Sequence, residues 1–166
     1  MELNLKVTSK EINQLMWTSG QTISTAESCS AGRLSAILTT PAGSSLYYKG
    51  GIVCYADDIK VRYLGVTQEL LDEKTSVCEE VAQQMVSGAL KMFSTNYAVA
   101  ITGYAGPGGG TEENPVGTIW IAVGNKNRIV TQKVYNDLGR DENVTIATEA
   151  AMSLLRDFLK EEMEKS

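Results

Sequence analysis

Between Tyr97 and Ile101 the stretch Asn96-Tyr-Ala-Val-Ala-Ile-Thr102 is uncharged and apolar on both of its alternating faces. A strand of that composition is buried from both sides, so its sheet needs a covering layer on each face. The stretch runs directly into Gly103-Tyr-Ala-Gly-Pro-Gly-Gly-Gly-Thr-Glu-Glu-Asn-Pro115 and then into a second strand over residues 116–123. Asn125-Lys-Asn127 turns the chain into a third, alternating strand over residues 128–135, which predicts an antiparallel pair.

Upstream, strands and helices alternate. The pattern predicts a first helix over residues 9–18, with Ser9 and Asn13 as start signals, Ile12, Leu15 and Met16 on one face and Gly20 as the stop. A strand over residues 21–26 and a helix from Arg33 to about residue 39 follow. Residues 50–55 read as a buried strand, and a helix opens at Ala56-Asp-Asp-Ile-Lys60 with Asp57 or Asp58 as its cap. A short connecting helix is expected at residues 67–71. Ser76-Val-Cys-Glu79 has capping-box form and launches a helix through Val81, Met85, Ala89, Leu90 and Phe93. Gly139-Arg-Asp-Glu-Asn143 opens the last helix, whose core stripe is Ala147, Ala151, Leu154, Leu155, Phe158 and Leu159. The expectation is an α/β fold: a single three-layer α/β/α domain over residues 1–166, with a mixed parallel and antiparallel sheet.

Composition narrows the chemistry. The chain of 166 residues has no histidine, which removes Ser-His-Asp triads, Cys-His dyads and histidine metal sites together. Catalysis must then use Lys, Asp, Glu, Tyr or the backbone. The net charge is −5 and the basic residues are scattered singly, so nucleic acid is not an expected partner. No apolar run reaches membrane-spanning length and the N-terminal residues lack signal-peptide form, so a cytoplasmic protein with no membrane partner is expected. Cys29, Cys54 and Cys78 are odd in number and form no CxxC, which predicts reduced thiols and no structural zinc.

Three stretches carry chemical content. Thr25-Ala-Glu-Ser-Cys-Ser-Ala-Gly-Arg33 is a strand-to-helix turn that presents Ser28, Cys29 and Ser30 at a helix N-terminus, where N–H groups receive an anion or an oxyanion. Ser28 is a candidate nucleophile there; alternatively Ser28 or Ser30 caps the helix. Lys60 lies in a first helical turn, where a cation opposes the dipole: a harmless surface lysine, or a base for Ser28. The glycine-rich segment has five glycines yet is neither a P-loop nor a dinucleotide fingerprint, because no Lys-Ser/Thr follows and a strand comes next. It either lines a ligand or is an inert hairpin loop. Thr40-Pro-Ala-Gly-Ser-Ser45 offers N–H groups and two hydroxyls, or is a solvated turn. A metal-assisted hydrolase using Asp57, Asp58 and Glu27 is a further alternative, although consecutive Asp residues at a helix start usually cap.

Ala26-Glu-Ser-Cys-Ser-Ala-Gly32, Pro41-Ala-Gly-Ser-Ser45, Gly51-Ile-Val-Cys-Tyr55, Lys60 with Leu64-Gly-Val66, the run from Thr102 to Glu113, and Pro115-Val-Gly-Thr-Ile-Trp120 together closely resemble the CinA C-terminal domain family. The resemblance implies a nicotinamide-nucleotide amidase. Such an enzyme converts nicotinamide mononucleotide to nicotinate mononucleotide and ammonia, with Ser28 as nucleophile, Lys60 as base and Tyr55 as the family's strand tyrosine. On this reading Glu27, Cys29, Ser30, Ser44, Ser45, Thr102, Gly103, Gly106, Gly108 and Gly109 serve the substrate. Where the family usually has Gly-Asp-Arg and a second Arg a turn later, this chain has Gly139-Arg-Asp141 and Thr145, leaving Arg140 for the phosphate. No cofactor and no metal are called for. The partners implied are a small nucleotide and further copies of the chain, as a homo-oligomer. A nucleotide-binding or regulatory module without turnover is the alternative.

Overall fold

In the computed structural model, which describes residues 3–166, five strands form one sheet in the order β2-β1-β3-β4-β5. In chain order the elements are α1 (Leu3–Ser19), β1 (Ile23–Glu27), α2 (Arg33–Leu38), a 3-10 turn (Ser44–Leu46), β2 (Tyr48–Val53), α3 (Asp57–Leu64), α4 (Gln68–Lys74), α5 (Glu79–Phe93), β3 (Tyr97–Gly103), β4 (Thr118–Gly124), β5 (Ile129–Tyr135) and α6 (Arg140–Glu164). β1 runs parallel to β2 and β3, whereas β3–β4 and β4–β5 are antiparallel. This is the mixed three-layer α/β/α arrangement that the sequence pattern predicts.

The period of two divides the strand side chains between two cores. Tyr97, Val99 and Ile101 of β3 and Ile119, Ile121 and Val123 of β4 pack with α1, α2 and α6. On the other face Ala98, Ala100 and Ala122 are small and let α5 lie close, with α3 and α4 outside it. A Cβ at Gly88 of α5 would come 2.1 Å from the Leu64 carbonyl oxygen, so this glycine lets the end of α3 cross α5. Each fully buried isoleucine, such as Ile101 or Ile121, contributes about 1.5–3 kcal/mol by leaving water. None of the described helices is long and apolar enough to cross a membrane.

Several boundaries differ from the sequence expectation. α1 starts at Leu3, and Ser9 is buried in mid-helix with its hydroxyl donating to the Ile37 carbonyl. Packing of Leu5 in the core, not a capping signal, extends the helix. Asp57 and Asp58 are the first residues of α3, and the N-cap is Ala56, with no side-chain cap. The capping box at Ser76 does not form, because α5 begins at Glu79 behind Cys78. β2 is not a buried strand: it lies at the sheet edge with alternate residues exposed.

The connections place the site. β1 leads into α2 on one face of the sheet, whereas β2 leads into α3 on the other. Beyond their C-terminal ends the chain therefore diverges and leaves a crevice, the usual ligand position in open α/β sheets.

Candidate active site

Ser28 follows β1 and Lys60 sits one turn into α3, and the crevice brings them together. The Lys60 ammonium donates to Ser28 Oγ at 3.0 Å, to the Cys54 carbonyl at 2.8 Å and to the Tyr55 carbonyl at 3.2 Å. Asp57 Oδ1 lies 3.5 Å away, on a side chain that is half exposed. Lys60 is 1% exposed and Ser28 8%. The helix period explains the burial: Lys60 and Leu64 share the inner face of α3, while Asp57, Asp58 and Arg62 lie outside. A neutral amine has two hydrogens and one lone pair. In that form the Cys54 and Tyr55 carbonyls would take the two hydrogens and the lone pair would face Ser28 Oγ.

Glu27 does something other than face a substrate. It is 1% exposed, and its Oε1 accepts from the Ser30 hydroxyl at 2.8 Å and the Leu34 N–H at 2.9 Å. Its Oε2 accepts from the Ser35 N–H at 3.1 Å and the Ser35 hydroxyl at 2.6 Å. The carboxylate thus caps α2 from the preceding strand, satisfying amides at the positive end of the helix dipole. Neither Ser28 nor Ser30 is the N-cap; that position is Gly32, at φ 96°. With both oxygens engaged, Glu27 is not available as a metal ligand beside Asp57 and Asp58, and no three His, Cys, Asp or Glu side chains among the described residues converge on a metal position.

The amides of the turn divide by partner. The Ser28 N–H donates to the Ile101 carbonyl at 2.9 Å and is not available to an oxyanion. Among the described residues the N–H groups of Cys29 and Ser30 bond to no other residue, which leaves two donors next to the serine. Burial pushes the Cys29 thiol up to about 12 and the Cys54 thiol up to about 11. Both are protonated at neutral pH, so neither thiol offers a thiolate in this turn.

Ser28 and Lys60 lie in a cavity of about 190 Å³ whose other walls include Tyr55, Tyr104, Gly106, Gly108 and Arg140. Arg140, the first residue of α6, donates to Tyr55 Oη at 2.7 Å and to the Gly106 carbonyl at 2.8 Å, joining three segments across the opening. Buried Asn143 ties α6 to the glycine-rich segment by donating to the Ala105 carbonyl at 3.1 Å. Gly103 also lines the cavity, although its lack of a side chain serves packing, since a Cβ there would lie 2.5 Å from Ile119 Cγ1. Gly108 faces open space.

Besides Glu27 and Ser30, which are buried outside the cavity lining, four expected site positions lie elsewhere. Thr102 is fully buried and donates to the Ser76 carbonyl at 2.8 Å. Gly109 packs against the Tyr104 ring and is outside the cavity lining. Ser44 and Ser45 precede β2, whose Tyr48 pairs with Ile23 at the start of β1, so they lie at the opposite end of these strands.

The structure adds residues that sequence reasoning missed. Ser76, Val77 and Tyr104 line the cavity, and Tyr104 Oη donates to Thr75 Oγ1 at 3.0 Å. Thr75 has φ 66° and ψ 179°, a conformation open to glycine and costing a β-branched residue about 1–3 kcal/mol. Beyond this Tyr104–Thr75 bridge lies a larger depression of about 440 Å³ at the tip of the glycine-rich segment, with Trp120 and several carboxylates but without Ser28 and Lys60.

Residues 5–159 match the model of the CinA C-terminal domain. The chain is 50% identical over 143 residues to a CinA-like protein of Mycobacterium sp. (strain JLS), covering 86% of this chain and 34% of that one. It is 41% identical over 150 residues to a CinA-like protein of Cytophaga hutchinsonii, covering 90% of this chain and 36% of that one. The chain thus spans about a third of the length of these curated relatives. Among solved structures, it is similar to the competence/damage inducible protein CihA from Agrobacterium tumefaciens, with a TM-score of 0.91, 36% identity, and 96% and 99% of the two chains covered. It is likewise similar to the competence damage-inducible protein A (ComA) from Klebsiella pneumoniae, with a TM-score of 0.90, 31% identity, and 94% and 97% covered.

Proposed function

Since this chain belongs to the CinA C-terminal domain family, we propose that it is an amidohydrolase that converts nicotinamide mononucleotide to nicotinate mononucleotide and ammonia through an acyl-enzyme on Ser28. The observation that carries this reading is the 3.0 Å approach of the buried Lys60 amine to Ser28 Oγ in a chain without histidine.

In the proposed cycle the neutral Lys60 amine takes the Ser28 proton as Oγ attacks the carboxamide carbon. The oxyanion that forms is received by the free N–H groups of Cys29 and Ser30; one such donor is worth about 3 kcal/mol in other acyl-transfer sites. The Lys60 ammonium passes its proton to the departing nitrogen, and ammonia leaves. Water then attacks the ester carbon, with Lys60 taking one of its protons and passing it back to Ser28 as the C–O bond breaks. Nicotinate mononucleotide is released, and the dyad returns to its starting state. Arg140 meets the substrate phosphate by exchanging its bonds to Tyr55 and Gly106.

Ammonia release from nicotinamide mononucleotide tests the proposal. Wild type should turn over, and Ser28→Ala and Lys60→Met should each lose about 10³-fold or more, with the double variant no worse than either. Equal rates for wild type and Ser28→Ala would sink the mechanism. Because the Arg140 guanidinium is already occupied within the protein, a second reading is a nucleotide-binding module without turnover. Calorimetry showing binding by wild type without ammonia release would favour it.

A further inference from the structure

The proposed substrate carries its amide on an N-alkylated pyridinium ring, which is planar and positively charged. The cavity lining contains the basic side chains of Lys60 and Arg140 and no carboxylate. A cationic ring therefore finds no counter-charge in that lining, and the surface left to receive it is the π face of an aromatic side chain. Two tyrosines line the cavity. Tyr55 is 55% exposed, so much of its ring faces water, and its hydroxyl is tied to the Arg140 guanidinium.

Tyr104 meets the requirement in a different way. It stands in a segment of five glycines, where backbone freedom would ordinarily leave a side chain loose. Instead it is held at both ends. Its N–H donates to the Thr118 carbonyl at 2.9 Å, and its carbonyl accepts from the Gly117 N–H at 2.6 Å. Its hydroxyl crosses to the facing wall and donates to Thr75 Oγ1. Gly109 packs against the ring, where a Cβ would approach Cδ1 to 3.2 Å. On the facing wall, Thr102 anchors the Ser76 carbonyl, and Thr75 keeps a backbone conformation suited to glycine. A threonine in such a conformation presents a hydroxyl that a glycine cannot supply, and Tyr104 is the side chain that uses it.

We infer that Tyr104, clamped by Thr75, is the aromatic wall on which the amide-bearing ring stacks, and that it selects planar cationic heterocycles over neutral ones. The inference rests on the amidase reading for the identity of the ring, and concerns binding rather than turnover. Tyr104 is a specificity residue: it touches the ring and takes no part in proton transfer.

Calorimetry on the Ser28→Ala chain separates binding from chemistry. Nicotinamide mononucleotide should bind about tenfold more weakly when Tyr104→Leu is added, and within about threefold of the starting affinity when Tyr104→Phe is added. Dihydronicotinamide mononucleotide, whose ring is neutral, should bind more weakly than the oxidised form and change less than about threefold on Tyr104→Leu. Thermal melting of each variant shows whether it is folded. If Tyr104→Leu is not, Tyr104→Phe carries the test, since the phenyl face should keep the preference for the oxidised ring. An unchanged affinity in a folded Tyr104→Leu chain overturns the inference, as does an equal loss for both ring forms or a Tyr104→Phe chain that no longer distinguishes them. Tyr104-dependent binding in a wild-type chain that releases no ammonia would sink the amidase reading while leaving this inference standing.

Discussion

The turn at residues 28–32 and the loop at residues 40–46 stand at the two ends of α2 and are built from similar small residues, yet they serve opposite purposes. At the first, a carboxylate from the preceding strand takes four hydrogen bonds from the turn and the helix, and the Ser28 hydroxyl is left beside a buried amine. At the second, the hydroxyls turn back on the helix that precedes them: Thr40 donates to the Ala36 carbonyl at 3.0 Å and Ser44 to the Thr39 carbonyl at 3.3 Å. A serine whose hydroxyl finds a main-chain carbonyl within five residues serves the turn. A serine beside a buried base, in a turn held by a carboxylate from another element, is free for chemistry.

The largest break in this contrast comes from Glu27→Gln. The amide puts a hydrogen-bond donor among donors at the end of α2, so unfolding free energy should fall by about 2–4 kcal/mol and ammonia release should drop with it. Urea denaturation and the rate assay check both, and a variant as stable as wild type would show that the carboxylate does not organise the turn. Next in size is a pH effect. The Cys29 thiol is raised from its ordinary 9.0 to about 12 by burial, so the native chain holds this proton more tightly than the unfolded chain does. The stability linked to it is complete below pH 9 and is lost as pH rises toward about 12. Unfolding free energy from urea titrations should therefore decline above about pH 9 by as much as roughly 1.4 kcal/mol per pH unit, and less steeply in Cys29→Ala. Parallel slopes would place the effect elsewhere. The smallest changes belong to the far end of α2: Ser44→Ala and Ser45→Ala should stay within about 0.5 kcal/mol in stability and about twofold in ammonia release. A larger loss of activity would bring that loop back into the site.

How much of this is legible in the sequence depends on how local the cause is. The strand-to-helix turn at Ser28 is readable because a β-favouring run changes to helical spacing across it. Lys60 is readable because a cation in a first helical turn breaks a local rule, and in the folded chain that lysine lies against the serine. The caps are not readable: Ser9, Ser76, Asp57 and Asp58 are all good capping residue types, yet packing decides where each helix starts. The role of Glu27 is hidden because β1 is buried on both faces, and sequence does not say that a carboxylate there turns toward the next helix. The edge position of β2 is a matter of strand order, which is set by contacts far apart in the chain. Thr75 leaves no signal at all, since its residue type argues against the backbone conformation it adopts.

Arg140 enters the site from the first residue of a helix of 25 residues that closes the fold. Ser28 and Lys60, by contrast, both lie within the first 60 residues. During synthesis this serine and lysine therefore leave the ribosome well before the arginine that spans their cavity. Selectivity for a phosphorylated ligand would then arise after the Ser28–Lys60 pair is made, and only once α6 docks.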